Sequence, residues 1–419
     1  MLRNTHEGPT ASVMVHNEGE PIPANLLGSL FEPMVRGAEG KTAARSVGLG
    51  LFIVKEIAAA HGGDVEVRSS SSEGTTFTLR FPAREAVQVK ASACERKMRW
   101  RCATQLHTMN SITSPGVHLK IAPFSNGFGA DVLGVDPHLQ LDDDEIAQVR
   151  RAWHLHSILR FRRLEVTPDE HTRFSRRLGK LHIMTPLKFN LEGYPEVFVV
   201  SNASKRNPDE PVSKSAGEVG LRRAGEGFHT DGEDKAIPNA GSMLYAAQVP
   251  PEKGDTLFVD MYAAYEALPA EVKGLIAGRR ARFSRIDLHP VHYPHMDPLT
   301  PEQKLERPDV FHPLARAHPY SGRTALYIGR WACDVEGLPV EEGRALVRYL
   351  QDFAKQPRFI YTQKWQKGDA ILWDNRCTQH CATGFDDERH VRTMYRTTLE
   401  GETPLMARTP VRLKLEEFA

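Results

Sequence analysis

From His118 onward the chain is a succession of short apolar runs broken by turn residues: HLKIAPFSNGFGADVLGVD, EVFVVSN, GSMLYAAQV, DTLFVDM, ALYIG, AILWDN and RTMYRTTLEG. Runs of this length, rich in β-branched and aromatic residues and bounded by Gly, Pro, Asn and Asp, read as strands with turns between them. So many short strands bury their apolar faces and limit their edges by folding into two packed sheets. A mainly β architecture is therefore expected, a β-sandwich or jelly roll with peripheral helices. DDDEIAQVRRAWHLHSILRF has acidic residues at its front and apolar ones at helical spacing, and TPDEHTRFSRRLGKL reads as a second capped helix. Two further helices are expected among the later strands.

The patterning is interrupted upstream. Order extends to about Pro82, and AREAVQVKASACERKMRWRCATQLHTMNSITSPG then shows no sustained period of two or 3.6, which marks a linker. The expected division is a front segment 1–84, a linker 85–116 and a domain 117–419, with Met109 placed where an independent protein could naturally start. A length of 419 residues accommodates such separate cores. With 54 basic and 53 acidic residues the net charge is +1, so no global field points to nucleic acid or an anionic membrane. Cys94, Cys102, Cys333, Cys377 and Cys381 are few, odd in number and lack a CxxC pair, which suits a reducing cytoplasm. No leader-like segment and no apolar run long enough to span a bilayer is evident, so a soluble cytoplasmic protein is expected, with homo-oligomer formation left open.

In the front segment, SVGLGLFIVKEIAAAHGGDVEV places glycines at a helix entry, where free backbone N–H groups and the helix dipole favour an anion. The bland alternative is a helix entry that needs glycine flexibility. Together with VMVHNEGEPIP, LFEPMVRG and GTTFTLRFP, in this order, the segment resembles the C-terminal half of the ATP-binding domain of sensor histidine kinases. The resemblance implies that Asn17 stands at the adenine-contacting aspartate, Gly19 at the first glycine of the box and Pro21 at a second, with LFEPM opening the ATP lid and GLGL meeting the phosphates. The Mg²⁺-holding asparagine helix and the phosphoacceptor histidine of that family have no counterpart upstream, so a truncated, catalytically inactive α/β remnant is expected.

The chemistry is expected further on. In EGFHTDGEDKAIPNAGSMLYA, His229 and Asp231 are two residues apart, a spacing that in extended chain projects an imidazole and a carboxylate to one side. His380, in WDNRCTQH, could complete a two-histidine, one-carboxylate facial set of the kind that suits non-haem Fe(II). A bare His-x-Asp is cheap: about one is expected by chance with so many histidines. A second does occur, His295-Met-Asp297 in HPVHYPHMDP, where Pro290, Pro294 and Pro298 argue for a loop and give His289, His292 and His295 packing or substrate-loop roles. What raises the first set is RTMYRTT, in which Arg392, Met394 and Arg396 share a strand face, because two guanidinium groups aimed one way call for anions.

HTD, GDTLF, WDNRxxxH and RxMxRTT, in that order, resemble the taurine dioxygenase and aryloxyacetate dioxygenase family of Fe(II)/2-oxoglutarate enzymes over roughly residues 117–405. The resemblance implies a double-stranded β-helix (jelly roll). It also implies His229, Asp231 and His380 as iron ligands, Arg392 with Thr256 on the distal carboxylate of 2-oxoglutarate, and Arg396 on the substrate side. The implied reaction uses Fe(II), 2-oxoglutarate and O₂, releases succinate and CO₂, and hydroxylates a small anionic sulfonate, alkyl sulfate or aryloxy acid. Asp231 favours hydroxylation, since related halogenases lack this carboxylate. Two departures bear on the substrate: Met184 replaces the histidine of taurine-specific members, with His182 two residues before it, and residues 205–227 form a long polar insertion beside the site. The competing expectations are a non-catalytic metal-binding jelly roll and a kinase-derived regulatory module fused to an oxygenase.

Overall fold

The computed structural model describes residues 2–7, 10–32, 50–60, 62–82, 119–185, 187–203, 208–211, 227–294 and 296–407. The linker, Cys94, Cys102, Met109, most of the 205–227 insertion, residues 46–49 of the glycine motif and His295 lie outside these residues. The chain divides into two compact units, Met1–Val117 and His118–Ala419.

In the first unit β1 (Leu2–Glu7), β2 (Thr10–Asn17), β3 (Asp64–Ser70) and β4 (Gly74–Pro82) form an antiparallel sheet of order β1-β2-β4-β3. Residues 71–73 turn the chain from β3 into β4, closing on Gly74 at φ +70°. Helix α1 (Ala24–Leu27) is short, and α2 (Gly50–Ala60) lies against β3 and β4 with Phe52 and Ala58 buried. The Asn17 side chain accepts from the Gly19 N–H at 3.1 Å, closing the glycine turn on itself.

The second unit is a jelly roll. Its larger sheet has the order β5 (Lys120–Pro123), β6 (Ala130–Leu133), β7 (Ile158–Phe161), β18 (Ala370–Asp374), β10 (Gly241–Gln248), β20 (Thr393–Leu399), β9 (Tyr194–Ser201) and β8 (Asn190–Leu191). A smaller sheet, β17 (Ile360–Gln363), β11 (Thr256–Asp260) and β19 (Thr378–Ala382), packs on it. Alternation along the large-sheet strands builds two cores. Leu244, Ala246, Ile371, Trp373 and Met394 meet Phe258 of β11 between the sheets. Met243, Tyr245, Ala370 and Leu372 turn to the other face, where α3 (Asp143–His156) and α4 (Pro168–Leu178) cover them with Ile146, Val149, Trp153, Phe174 and Leu178. Burial on both faces explains why AILW and SMLYAA are apolar without alternation.

Both covering helices carry the capping boxes expected from their acidic starts, Asp142 with Glu145 and Thr167 with Glu170. Helix α3 ends at Ser157, whose φ of 65° breaks the helical path, so ILRF of the same run becomes β7. Two three-stranded sheets complete the unit: β13 (Val310–Pro313), β12 (Arg280–Phe283), β16 (Ala332–Val335), and β15 (Thr324–Leu326), β14 (Ala315–Ala317), β21 (Leu405–Met406). More helices follow than the two expected: α5 (Met261–Ala267), α6 (Ala270–Ile276), α7 (Arg285–His292), α8 (Pro301–Leu305) and α9 (Val340–Ala354). Helix α7 corrects the loop expected around Pro290. Ser284 caps it by accepting from Asp287 N, and Pro290 lies inside it at the cost of the one intrahelical bond its absent N–H would have donated. Among the described residues no helix is long and apolar enough to cross a membrane.

Candidate active site

His229 lies in a loop that pairs with the edge of the smaller sheet. Its N–H donates to the His380 carbonyl at 3.1 Å and its carbonyl accepts from the His380 N–H at 2.9 Å, an isolated antiparallel bridge. Directly paired residues share a side of the sheet, so both imidazoles point inward, with ring centroids 4.2 Å apart. Gly232, at φ +74°, turns the chain just past Asp231, which carries the carboxylate back beneath the rings. Asp231 Oδ1 stands 3.8 Å from Nε2 of each histidine, and one ligand atom from each of the three residues lies within 4.8 Å of the others.

The neighbours fix these groups. His229 Nδ1 is 2.9 Å from the Gly227 carbonyl, so Nδ1 carries the proton and Nε2 presents its lone pair to the centre. Ser242 of β10 donates to Asp231 Oδ2 at 2.8 Å. His380 is enclosed by Trp373 at 4.8 Å and Phe258 at 6.1 Å between ring centroids. Burial lowers the pKa of His229 against the pull of Asp231, and burial together with His229 lowers that of His380 to about 3, so both rings are neutral and able to ligate. Burial alone would raise the Asp231 carboxyl, but the Arg396 guanidinium and the Ser242 hydroxyl hold it well below the usual carboxylate range. Glu233, 1% exposed, accepts from Thr230 N and Trp331 N, both at 2.8 Å, and ties this loop to the segment that leads into β16.

Arg392, just ahead of β20, and Arg396, within it, face the inter-sheet space with Met394 between them, as the alternation requires. Asn202 grips the Arg392 backbone by accepting from its N–H at 2.8 Å. The Arg392 Nε donates to the Gly254 carbonyl at 3.1 Å, which brings the guanidinium to the GDT turn two residues before Thr256. Burial pulls the pKa of Arg392 down to about 10, against the charge of Asp255. The buried Thr256 hydroxyl accepts from Trp365 Nε1 at 3.0 Å. Arg396 Nη1 donates to Asp231 Oδ1 at 3.1 Å, and its guanidinium lies over the Phe198 ring at 5.1 Å. Thus the fold gathers His229, Asp231, His380 and Arg396 into one cluster and sets Arg392 and Thr256 together at the GDT turn. Sequence reasoning missed Ser242, Glu233, Asn202, Lys235 and Phe198. Glu233 and Lys235 stand two and four residues past Asp231, but their partners Trp331 and His182 are far along the chain, and Phe198, Asn202 and Ser242 sit in runs read only for their strand pattern.

A second group of potential ligands, His318, Asp374 and Cys377, is fully buried. There Arg376 Nε donates to Asp374 Oδ1 at 2.7 Å, and His318 Nδ1 accepts from the Tyr320 and Ser321 N–H groups, which leaves its Nε2–H to Asp374 at 3.0 Å. The groups satisfy one another, as a structural knot does. His289 and His292 lie on α7, the latter with Nε2 at 2.7 Å from the Arg330 carbonyl, and neither belongs to a convergent ligand group among the described residues.

A cavity of about 940 Å³ adjoins the loop of His229 and Asp231 at Gly227 and Phe228. One wall is α9 with Arg344 and Arg348, and Lys355 just past its end; the other carries Leu288, Val291, Tyr293 and Met296 together with the polar Asp287 and His292.

Residues 120–398 match the model of the family described as taurine catabolism dioxygenase TauD, TfdA family, and residues 2–85 that of histidine kinase-, DNA gyrase B- and HSP90-like ATPases. The chain is 35% identical over 283 residues to the alpha-ketoglutarate-dependent 2,4-dichlorophenoxyacetate dioxygenase of Cupriavidus pinatubonensis, covering 65% of this chain and 95% of that protein. It is 32% identical over 293 residues to the (S)-phenoxypropionate/alpha-ketoglutarate-dioxygenase of Sphingobium herbicidovorans, covering 67% of this chain and 95% of that protein. Among solved structures, AAD-2 in complex with Mn(II) and N-oxalylglycine superposes with a TM-score of 0.60 at 30% identity, over 68% of this chain and 99% of that one.

Proposed function

The chain belongs to the taurine catabolism dioxygenase TauD, TfdA family, and we propose that its jelly roll oxidises a small apolar organic anion at the cluster of His229, Asp231 and His380. It is an Fe(II)- and 2-oxoglutarate-dependent dioxygenase. The donor set fits the metal: two neutral imidazole nitrogens from His229 and His380 and one carboxylate oxygen from Asp231 would hold Fe(II). Fe(II) bound there supplies, with 2-oxoglutarate and O₂, the oxidising power that hydroxylates a substrate carbon while succinate and CO₂ leave.

The residues divide the rest of the work. Gly227 sets the His229 tautomer, and Ser242 and Arg396 keep Asp231 ionised and oriented, as outer partners of a metal ligand do. Arg392 and Thr256 hold the distal carboxylate of 2-oxoglutarate: a buried guanidinium whose hydrogen bond goes to a carbonyl still calls for an anion. Trp373 and Phe258 keep water away from His380. The relatives that act on aryloxy acids and sulfate esters support an aryl or alkyl acid or sulfate ester as the primary substrate, and the cavity beside Phe228, with a volume in the usual range of ~300–1,000 Å³ for small-molecule sites, gives the apolar part of such a molecule room next to the loop of His229.

The observation that carries this reading is the triangle of ligand atoms within 4.8 Å, closed by the His229–His380 bridge. The test is succinate formation by the full chain with Fe(II), ascorbate and 2-oxoglutarate, screened against aryloxy acids, alkyl sulfates and sulfonates. Substrate-stimulated succinate is expected. It should fall by more than about 100-fold in His229→Ala, Asp231→Ala or His380→Ala, since even outer-sphere partners of a metal cost ~10–100-fold. Absence of O₂ uptake with every anion tried would refute the assignment.

A further inference from the structure

We propose that Lys235, oriented by His182, anchors the acidic group of the primary substrate, an inference that rests on the dioxygenase reading above. The metal loop reverses after Asp231, with Lys235 N donating to the Gly232 carbonyl at 3.0 Å, so Lys235 returns to the side of the site that Asp231 occupies. Its Nζ lies 2.8 Å from His182 Nε2. His182 arrives from another segment: its N–H donates to the Thr398 carbonyl at 2.8 Å, two residues beyond Arg396 on β20. The Thr398 hydroxyl is in turn 3.5 Å from Ser242 Oγ, the group that holds Asp231. Lys235 and His182 are thereby fixed at the edge of the metal cluster by two independent backbone contacts.

The charges there do not balance. An ammonium only donates, so His182 Nε2 must accept and its proton sits on Nδ1. His182 therefore orients Lys235 without neutralising it. Among the described residues no carboxylate lies within ion-pairing distance of Lys235, and Lys235 is half-buried. Asp234, its neighbour in sequence, is committed to Arg285 at 3.0 Å and Arg307 at 3.4 Å. Arg396, the cation expected to meet the substrate, is itself committed to Asp231 at 3.1 Å. Met184, two residues beyond His182, brings no polar donor. Burial opposes the charge on Lys235, Asp234 and Asp231 favour it and Arg307 and Arg396 oppose it, and a carboxylate or sulfate placed against Nζ would offset the cost of burial. Lys235 thus takes the place in substrate binding that the missing histidine at Met184 leaves, reaching the anion from the metal loop.

The test is calorimetric and needs no turnover. The full chain is loaded with Mn(II) and N-oxalylglycine, then titrated with phenoxyacetate, hexyl sulfate and hexanesulfonate. Lys235→Met should weaken whichever of these the wild type binds by about 10- to 100-fold, the range for a lost hydrogen bond to a charged group, and Lys235→Arg should recover most of it. N-oxalylglycine affinity should stay the same in both variants. Wild-type-like anion binding by Lys235→Met would overturn the proposal, as would a wild type that binds none of the three anions. Loss of N-oxalylglycine binding in Lys235→Met alone would overturn it too, by showing a structural role. Failure of the wild type to bind N-oxalylglycine would instead refute the dioxygenase reading on which the proposal stands.

Discussion

Asp231 serves four neighbours with two oxygens: Oδ1 faces both imidazoles and Arg396, and Oδ2 accepts from Ser242. Its position depends on a loop held by Glu233, whose carboxylate takes the N–H groups of Thr230 and Trp331. Glu233→Ala leaves both donors buried and unpaired, at about 1–3 kcal/mol each. The measurable result should be a 10- to 100-fold weaker Mn(II) affinity, of the order outer-sphere partners control, and an unchanged affinity would deny Glu233 a positioning role. Elsewhere, two buried histidines set the acid limit of the fold. Burial brings His171 and His312 down to about 4 from the ordinary value of 6.5. Between those values the unfolded chain binds protons that the folded chain does not, so stability falls as pH drops through that window. Each site accounts for up to about 3 kcal/mol of that loss. Thermal midpoints measured from pH 7 to 4 should decline, and His171→Gln should decline less steeply.

Among the elements, α3 and the large sheet meet at a contact with no slack. A Cβ on Gly241 would stand 2.3 Å from Trp153 Cζ2 of α3 and 2.6 Å from the Trp373 carbonyl of β18. Gly241→Ala must push α3 off the sheet and should cost about 1–3 kcal/mol, read as a lower denaturant midpoint with an unchanged slope. The capping boxes of α3 and α4 were legible because a cap is local: four consecutive residues contain both partners. The helical state of Arg285–His292 was not, because proline statistics argue against regular structure while a serine cap and packing against Trp331 favour it. The end of α3 was blurred for a similar reason: Ile158 to Phe161 continue the apolar pattern, and only the left-handed Ser157 separates helix from strand.

At the scale of the molecule, the two units stand in different relation to known proteins. The relatives from Cupriavidus and Sphingobium are spanned over 95% of their lengths by a match that takes in only 65% and 67% of this chain. The jelly roll therefore has the extent of a complete dioxygenase, and a chain beginning at Met109 is expected to retain the kcat and the 2-oxoglutarate requirement of the full protein. A severalfold drop in either would assign the first unit a part in catalysis. Sequence alone determined what is carried by short-range order: the strand-rich class of the second unit, the helix caps, the resemblance of both segments to their families, and the side chains offered as candidate ligands at His229, Asp231 and His380. Local physics suffices for these, since propensity, capping and motif spacing act within a few residues. Tertiary structure alone decided that His229 pairs with His380 across 151 positions, that Arg396 commits its charge to Asp231, and that Lys235 meets His182 from a separate segment. Such contacts join residues far apart in the chain, and which charge finds which partner is settled by how the two sheets close, a quantity that no local pattern encodes.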